Sequence, residues 1–215
     1  MPQTDDLRSS RIRQARRRQL IEATIESIAK RGFAETTLSA VTAEAGLSHG
    51  VVNFHFASKE QLFVDTLGWL AEEHYDHWRR ALDKAGDDPA RRLEALVRAD
   101  FAPTVCSRKK LAVWFAYWGQ AKHRPIYLDI HNRHDAARRE HLETLCAALV
   151  ARSGGVGAQP ERAARLLEAS IDGLWLQLLL YPEGLDRKEA LASAMAQLAA
   201  LYPHHFEPPT APLEG

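Results

Sequence analysis

Apolar residues recur along this chain at spacings of three and four, and no stretch alternates residue by residue, so the pattern predicts an all-α fold. Leu20, Ile21, Thr24, Ile25 and Ile28 mark a first amphipathic helix, which Gly32 stops. Two short helices follow, joined by a tight turn at Gly46-Leu47. Thr36 and Thr37 stand where the second helix starts, and a threonine there caps orphan N–H groups. Leu38, Val41 and Ala45 are expected to face a small core, while Gly46 is free to take positive φ. Ser48 is expected to cap the third helix, with Val52 and Phe56 pointing inward. Ser58 then caps a fourth, predicted over 59–84 on the spacing of Leu62, Phe63, Leu67, Leu70 and Trp78. Pro89 opens a helix that ends before Pro103, and further helices are expected over about 109–123, 125–152, 161–181 and 187–201. The segment SGGVGAQP reads as a loop, and the tail PHHFEPPTAPLEG is too rich in proline to be ordered throughout.

Three helices with a tight turn before the last have the layout of a helix-turn-helix reader of DNA. Its third helix leaves His49, Gly50, Asn53 and Phe54 facing out, where a recognition helix meets base edges. Lys59 at a helix N-terminus opposes the helix dipole, which makes sense if an anion such as a DNA phosphate docks there. Net charge is zero over 215 residues, yet residues 1–31 hold Arg8, Arg11, Arg13, Arg16, Arg17, Arg18, Lys30 and Arg31 against Asp5, Asp6, Glu22 and Glu26. The positive charge therefore sits where the DNA is expected. The expected organisation is a basic flexible arm over 1–15, a helix-turn-helix domain over 16–63, an effector-binding and dimerisation domain over 64–203, and a disordered tail over 204–215. The arm reads either as a reach to phosphate or the minor groove, or as a solvated tail.

The same stretch resembles the DNA-binding domain of the TetR family of repressors. The residues that carry the resemblance are Thr37, Ala45-Gly46-Leu47-Ser48-His49-Gly50, Phe54-His55-Phe56 and Ser58-Lys59. Asn53 departs from the family, which usually places a tyrosine there. The resemblance implies a homodimer on a palindromic double-stranded operator. His49, Asn53 and Ser39 are the expected base contacts, with Thr37, His55 and Lys59 on phosphates; Ser48, Gly50 and Phe54 complete the expected DNA-binding set.

Two features of the remaining helices go beyond packing. Trp114, Tyr117 and Trp118 lie within one turn of each other on a helix, and Asp172 and Trp175 lie within one turn on another. Such aromatics ordinarily form core, but three indoles, a phenol and a carboxylate also suit a cage for quaternary ammonium. The runs Lys110–Trp118, His123-Arg124-Pro125, Ile171–Leu176 and Pro182–Asp186 resemble the effector domain of the choline-responsive subgroup of that family, the repressors of glycine-betaine synthesis. That implies a cationic effector, choline or a relative. The second feature is the apolar lining of the last two helices, Leu166, Leu167, Ser170, Leu174, Leu178 and Tyr181 with Leu191, Met195, Leu198 and Leu201. It exceeds what one small body needs and is read as a homodimer face, with internal packing as the alternative.

Other chemistry is thin. Cys106 and Cys146 suggest buried thiols rather than a disulfide framework. His131, His134 and His141, and the pair His74 and His77, lack the companions a metal site needs, so neither metal nor cofactor is expected. The run NRHDAARRE reads as a solvated helix face. No nucleophile–base pair or phosphate loop supports an enzyme. No apolar run has transmembrane length and no signal peptide is visible, so the expectation is a cytoplasmic protein. A constitutive DNA binder without an effector, and a related regulator of a different small molecule, stay open alternatives.

Overall fold

The computed structural model describes residues 3–208, with side chains from residue 8 onward, and among these residues there are helices and no strands. The helices are α1 (Gln3–Arg31), α2 (Leu38–Ala45), α3 (His49–His55), α4 (Lys59–Lys84), α5 (Pro89–Asp100), α6 (Arg108–Ala121), α7 (Pro125–Arg152), α8 (Pro160–Leu180) and α9 (Arg187–Leu201). They form two compact units, Met1–Ala71 with Ala112–Ile130, and Glu72–Leu111 with His131–Gly215.

In the first unit, α1, α2 and α3 close a small core in which Leu20, Ile21, Ile28, Val41 and Val52 are at most 2% exposed. Burying a side chain of this kind contributes about 1.5–3 kcal/mol. The turn depends on Gly46, which sits at φ 62 in the left-handed region while Leu47 N–H donates to the Thr42 carbonyl at 3.0 Å. Thr37 caps α2 by accepting from Ala40 N–H at 3.1 Å, and Ser58 caps α4 by accepting from Gln61 N–H at 3.1 Å. Ser48 holds the N-cap position of α3, but its hydroxyl makes no capping bond, contrary to expectation. Gln19 donates across to the Ala45 carbonyl at 2.8 Å, tying α1 to the end of α2.

The basic arm expected as flexible over 1–15 is instead helical from Gln3. The physical reason is local: nothing between Gln3 and Arg31 is glycine or proline, and arginine, glutamine and alanine are strong helix formers.

In the second unit, α8 and α9 pack together and α9 packs on α5. The chain beyond α9 is more ordered than its composition suggested. Tyr202 and Phe206 are buried, and His205 meets Ser153 Oγ at 2.8 Å and the Leu149 carbonyl at 3.0 Å. The rest of the expected tail, 209–215, lies outside the described residues. Two aromatic anchors outweigh the prolines near them, because a buried ring gains far more than an ordered turn loses.

Candidate DNA-binding and effector-binding sites

The first unit presents a polar face at α2, the turn and α3. Thr37, Ser39, Ser48, His49, Gly50, Asn53 and Phe54 are all exposed, while Val52 and Phe56 between them are buried. A seven-residue α3 thus shows one face to solvent and one to the core, as its period requires. His55 is half-buried, and burial, then the charges of Arg13 and Arg17, push its pKa down. Lys59 opens α4 with its ammonium 5.1 Å from the Phe63 ring centroid, so its stem is braced by that ring.

The start of α4 is held by a mesh that periodicity alone did not reveal. Tyr117 Oη donates to the Phe63 carbonyl at 2.7 Å, Tyr127 Oη donates to Glu60 at 3.0 Å, and Arg124 pairs with Glu60. Phe33 fills the space between, with ring centroids 4.9 Å from Phe63, 5.3 Å from Tyr117 and 6.0 Å from Tyr127. Tyr117, expected beside a ligand, is therefore a core residue of the first unit with its hydroxyl engaged and 1% exposed. Burial raises its pKa well above that of an ordinary phenol. Trp114 and Trp118, a turn apart on α6, have centroids 6.3 Å apart, with Trp114 buried and Trp118 half-buried.

Asp172 and Trp175 belong to the second unit, so the five expected ligand residues are not gathered in one unit. Around Trp175 lies a network centred on Asp100, which is 1% exposed. Trp175 Nε1–H donates to the Asp100 carbonyl at 3.1 Å, and the indole lies edge-on to His74 at 5.8 Å. The Asp100 carboxylate meets His74 Nε2 at 2.8 Å and pairs with Arg138, which also faces Glu168 at 3.7 Å. Arg138 is 6% exposed and its Nε has no partner.

The run NRHDAARRE, expected as a solvated face, is thus partly internal. Its Asp135 meets His131, the residue just before the run, at 2.8 Å. Burial opposes charge on His131, but the Asp135 hydrogen bond and the Asp135 and Asp172 charges outweigh it and raise its pKa. Burial likewise acts to raise Asp135, yet the His131 bond and charge, with Arg138 and His74 beyond, hold it down. Asp172 is exposed to solvent, yet the protein around it raises its pKa to about 6, with Asp135 and Asp100 adding to the rise and Arg138 and His131 opposing it. Asp100 pairs with the buried Arg138, whose charge also acts on Asp135 and Asp172.

Along the exposed side of α8, Leu166, Leu176 and Leu180 are 52%, 40% and 55% exposed. With exposed Ala169 and half-exposed Gly173 they make a stripe at helical spacing. Of the expected dimer lining, Leu167, Leu178 and Leu198 pack inside the unit instead, Leu166 and Tyr181 are exposed, and Ser170, Leu174, Leu191, Met195 and Leu201 are half-buried. A shallow groove of about 360 Å³ between α8 and α9 is lined by Ser170, Gly173, Leu174, Gln177, Ser193 and Gln197. Both cysteines are buried and free, and burial pushes the Cys106 thiol up to about 11. No helix among the described residues is long and apolar enough to cross a membrane.

Comparison with known proteins joins these two units to one lineage. Residues 20–66 match the family model for bacterial regulatory proteins of the tetR family, and residues 89–203 match that for the BetI-type transcriptional repressor, C-terminal. The chain belongs to the TetR family. Among its relatives, the HTH-type transcriptional regulator BetI of Burkholderia mallei (strain NCTC 10229) is 36% identical over 183 residues, covering 85% of this chain and 91% of the relative. BetI of Burkholderia cenocepacia (strain HI2424) is 36% identical over 183 residues, 85% of this chain and 92% of the relative. A transcriptional regulator from Pseudomonas aeruginosa PAO1 superposes with a TM-score of 0.76 at 26% identity, over 90% of this chain and 95% of that one. Another, from Saccharomonospora viridis and solved in complex with choline, gives a TM-score of 0.71 at 23% identity, over 83% of this chain and 92% of that one. The fold and the repressor class of this TetR-family member follow from these matches, and its relatives are regulators rather than enzymes.

Within that frame, sequence patterning missed Glu60, Arg124 and Tyr127 in the first unit and His74, Asp100, Asp135 and Arg138 in the second. His131, Asp135 and Arg138 share a face of α7 by their spacing, but a polar stripe looks the same whether it meets water or other polar groups. Asp100 carried one legible signal: it ends the strongly periodic α5 beside buried Leu96 and Val97.

Proposed function

We propose that this repressor is a homodimer that leaves a palindromic operator when a small organic cation, choline or a close relative, binds beside Asp172 and Trp175 in the second unit. The observation that carries the ligand class is Asp172, a carboxylate open to solvent yet desolvated by protein, one helical turn from the Trp175 indole. An aromatic face and an uncompensated carboxylate are what a quaternary ammonium group needs. The choline bound by the Saccharomonospora viridis neighbour, and the name of the Burkholderia relatives, support the same class. Release needs the cation to prefer the conformation that holds DNA less well. α4 is the candidate lever, since one helix carries Lys59 at its start and His74, which faces Trp175, further along.

Calorimetry of choline into the purified dimer tests the reading, with and without operator. Operator should weaken choline binding by the factor by which choline weakens operator binding. The Asp172 carboxyl titrates near 6, and only its charged form attracts a cation. Choline affinity should therefore be full above pH 7 and fall as pH drops through 6. Asp172→Asn should bind weakly at every pH and flatten the profile. Absence of choline binding would dismiss this ligand and leave the repressor class intact.

On the DNA side, His49, Asn53 and Ser39 are the proposed base contacts, and Thr37, His55 and Lys59 the proposed phosphate contacts. Lys59→Ala should weaken binding on every duplex and flatten its salt dependence, by about 0.9 in log–log slope for each phosphate no longer neutralised. His49→Ala should instead relax the preference at one base pair, by about 1–3 kcal/mol. Unchanged affinity, salt slope and base preference in both variants would reject this docking.

A further inference from the structure

The helical extension of α1 gives the recognition helix a companion. Counting back from the core residues Leu20, Ile21 and Thr24, positions 17 and 13 continue the same face of α1, but there the stripe changes from apolar to arginine. The two arginines have different surroundings. Arg17 lies 5.4 Å over the Phe56 ring and forms an ion pair with Asp65 at 2.7 Å, so its charge is already met. Arg13 lies 5.6 Å over the ring of Phe54, and no carboxylate among the described residues pairs with it. Phe54 is itself unusual, a phenylalanine 69% exposed on the face of α3 that carries Asn53, with its edge toward His55 at 5.1 Å. An exposed ring costs solubility without a return unless something uses it. A guanidinium stacks flat on an aromatic face and is weakly hydrated, so the stack fixes both position and charge.

We infer that Arg13 binds a backbone phosphate flanking the base pairs read by α3, and that Phe54 is the platform that positions it. Arg13 is exposed, its charge is not met by a carboxylate, and it sits beside the helix that faces DNA. Burial first, then the charges of Arg13 and Arg17, lower the pKa of His55 at the same corner. The inference rests on the DNA-binding reading above and extends its footprint from α2, α3 and α4 to α1.

The test uses the full-length protein and a duplex selected by the wild type from a random-sequence library, with binding followed by fluorescence anisotropy over a salt series. Arg13→Ala should give a log–log salt slope smaller by about two for the dimer, since each phosphate left without its arginine removes about 0.9. Its loss of affinity should be the same fold on the selected duplex and on a scrambled one. Arg13→Lys should keep the slope, because the charge remains. Arg17→Ala should leave the slope near that of the wild type. Phe54→Ala should weaken binding in the wild type and much less in the Arg13→Ala background, a coupling that a separate base contact would not give. Unchanged melting of Arg13→Ala guards against a folding artefact. A wild-type slope in Arg13→Ala overturns the inference alone, as does a loss confined to the selected duplex, which would make Arg13 a base reader. Independent effects of Phe54→Ala and Arg13→Ala overturn the platform. A wild type that binds no duplex overturns the DNA reading and the inference together.

Discussion

Asp100→Ala should destabilise the second unit by about 3–5 kcal/mol, the range for removing one partner of a buried ion pair. The Asp100 carboxylate takes Arg138 and, at 2.8 Å, His74, and it is 1% exposed. Without it Arg138 keeps a buried charge, with the Glu168 carboxylate no nearer than 3.7 Å. The Trp175 bond survives, because it goes to the Asp100 backbone carbonyl. In a chain of this size such a loss lowers Tm by roughly 6–20 °C. Urea denaturation gives the value directly. Asp100→Leu combined with Arg138→Met should recover much of it, since an apolar pair asks for no compensation. A loss under about 1 kcal/mol in Asp100→Ala would mean that water already shares the site.

Gly173→Leu should separate the proposed dimer without harming the subunit. A Cβ at position 173 meets nothing within 4 Å outside its own helix, and it stands in the exposed stripe of Leu166, Leu176 and Leu180. Leucine also favours a helix interior by about 1 kcal/mol over glycine. If a partner helix packs closely there, the new side chain blocks it. Analytical ultracentrifugation should then show monomers with a wild-type helical spectrum. Operator affinity should fall by roughly 10²–10⁴, because the two half-sites lose their shared tether. A dimer of unchanged affinity would move the interface off this stripe.

The approximate limits of α4 and α7 are legible in the sequence, because Ser58, Gly86-Asp87 and Pro125 are boundary signals that act locally. The exposure of His49, Asn53 and Phe54 was legible too, as α3 has a buried face fixed by Val52 and Phe56. What escaped depends on partners distant in sequence. Tyr117 looked like a ligand residue until the Phe63 carbonyl was found at its hydroxyl, and Arg138 looked solvated until Asp100 was found beside it. Neither bond leaves a trace in periodicity. The arm over 1–15 was misjudged for a different reason: charge was weighed above helix propensity, and arginine favours a helix even where it finds no core.

The mesh of Tyr117, Glu60, Tyr127 and Arg124 has a consequence for how this repressor meets DNA. The first turn of a helix is ordinarily where amides exchange with solvent fastest, because fraying costs little. Here the start of α4 is held by bonds to the Glu60 side chain and, a turn further on, to the Phe63 carbonyl. The Gln61 and Leu62 amides, bonded to the Ser58 hydroxyl and carbonyl, should exchange slowly in the free protein, and Lys59 stands on a segment already ordered by folding. If Lys59 meets a phosphate as proposed, little conformational entropy is left to lose there, so a single lysine delivers more of its attraction as net affinity than it would from a frayed end.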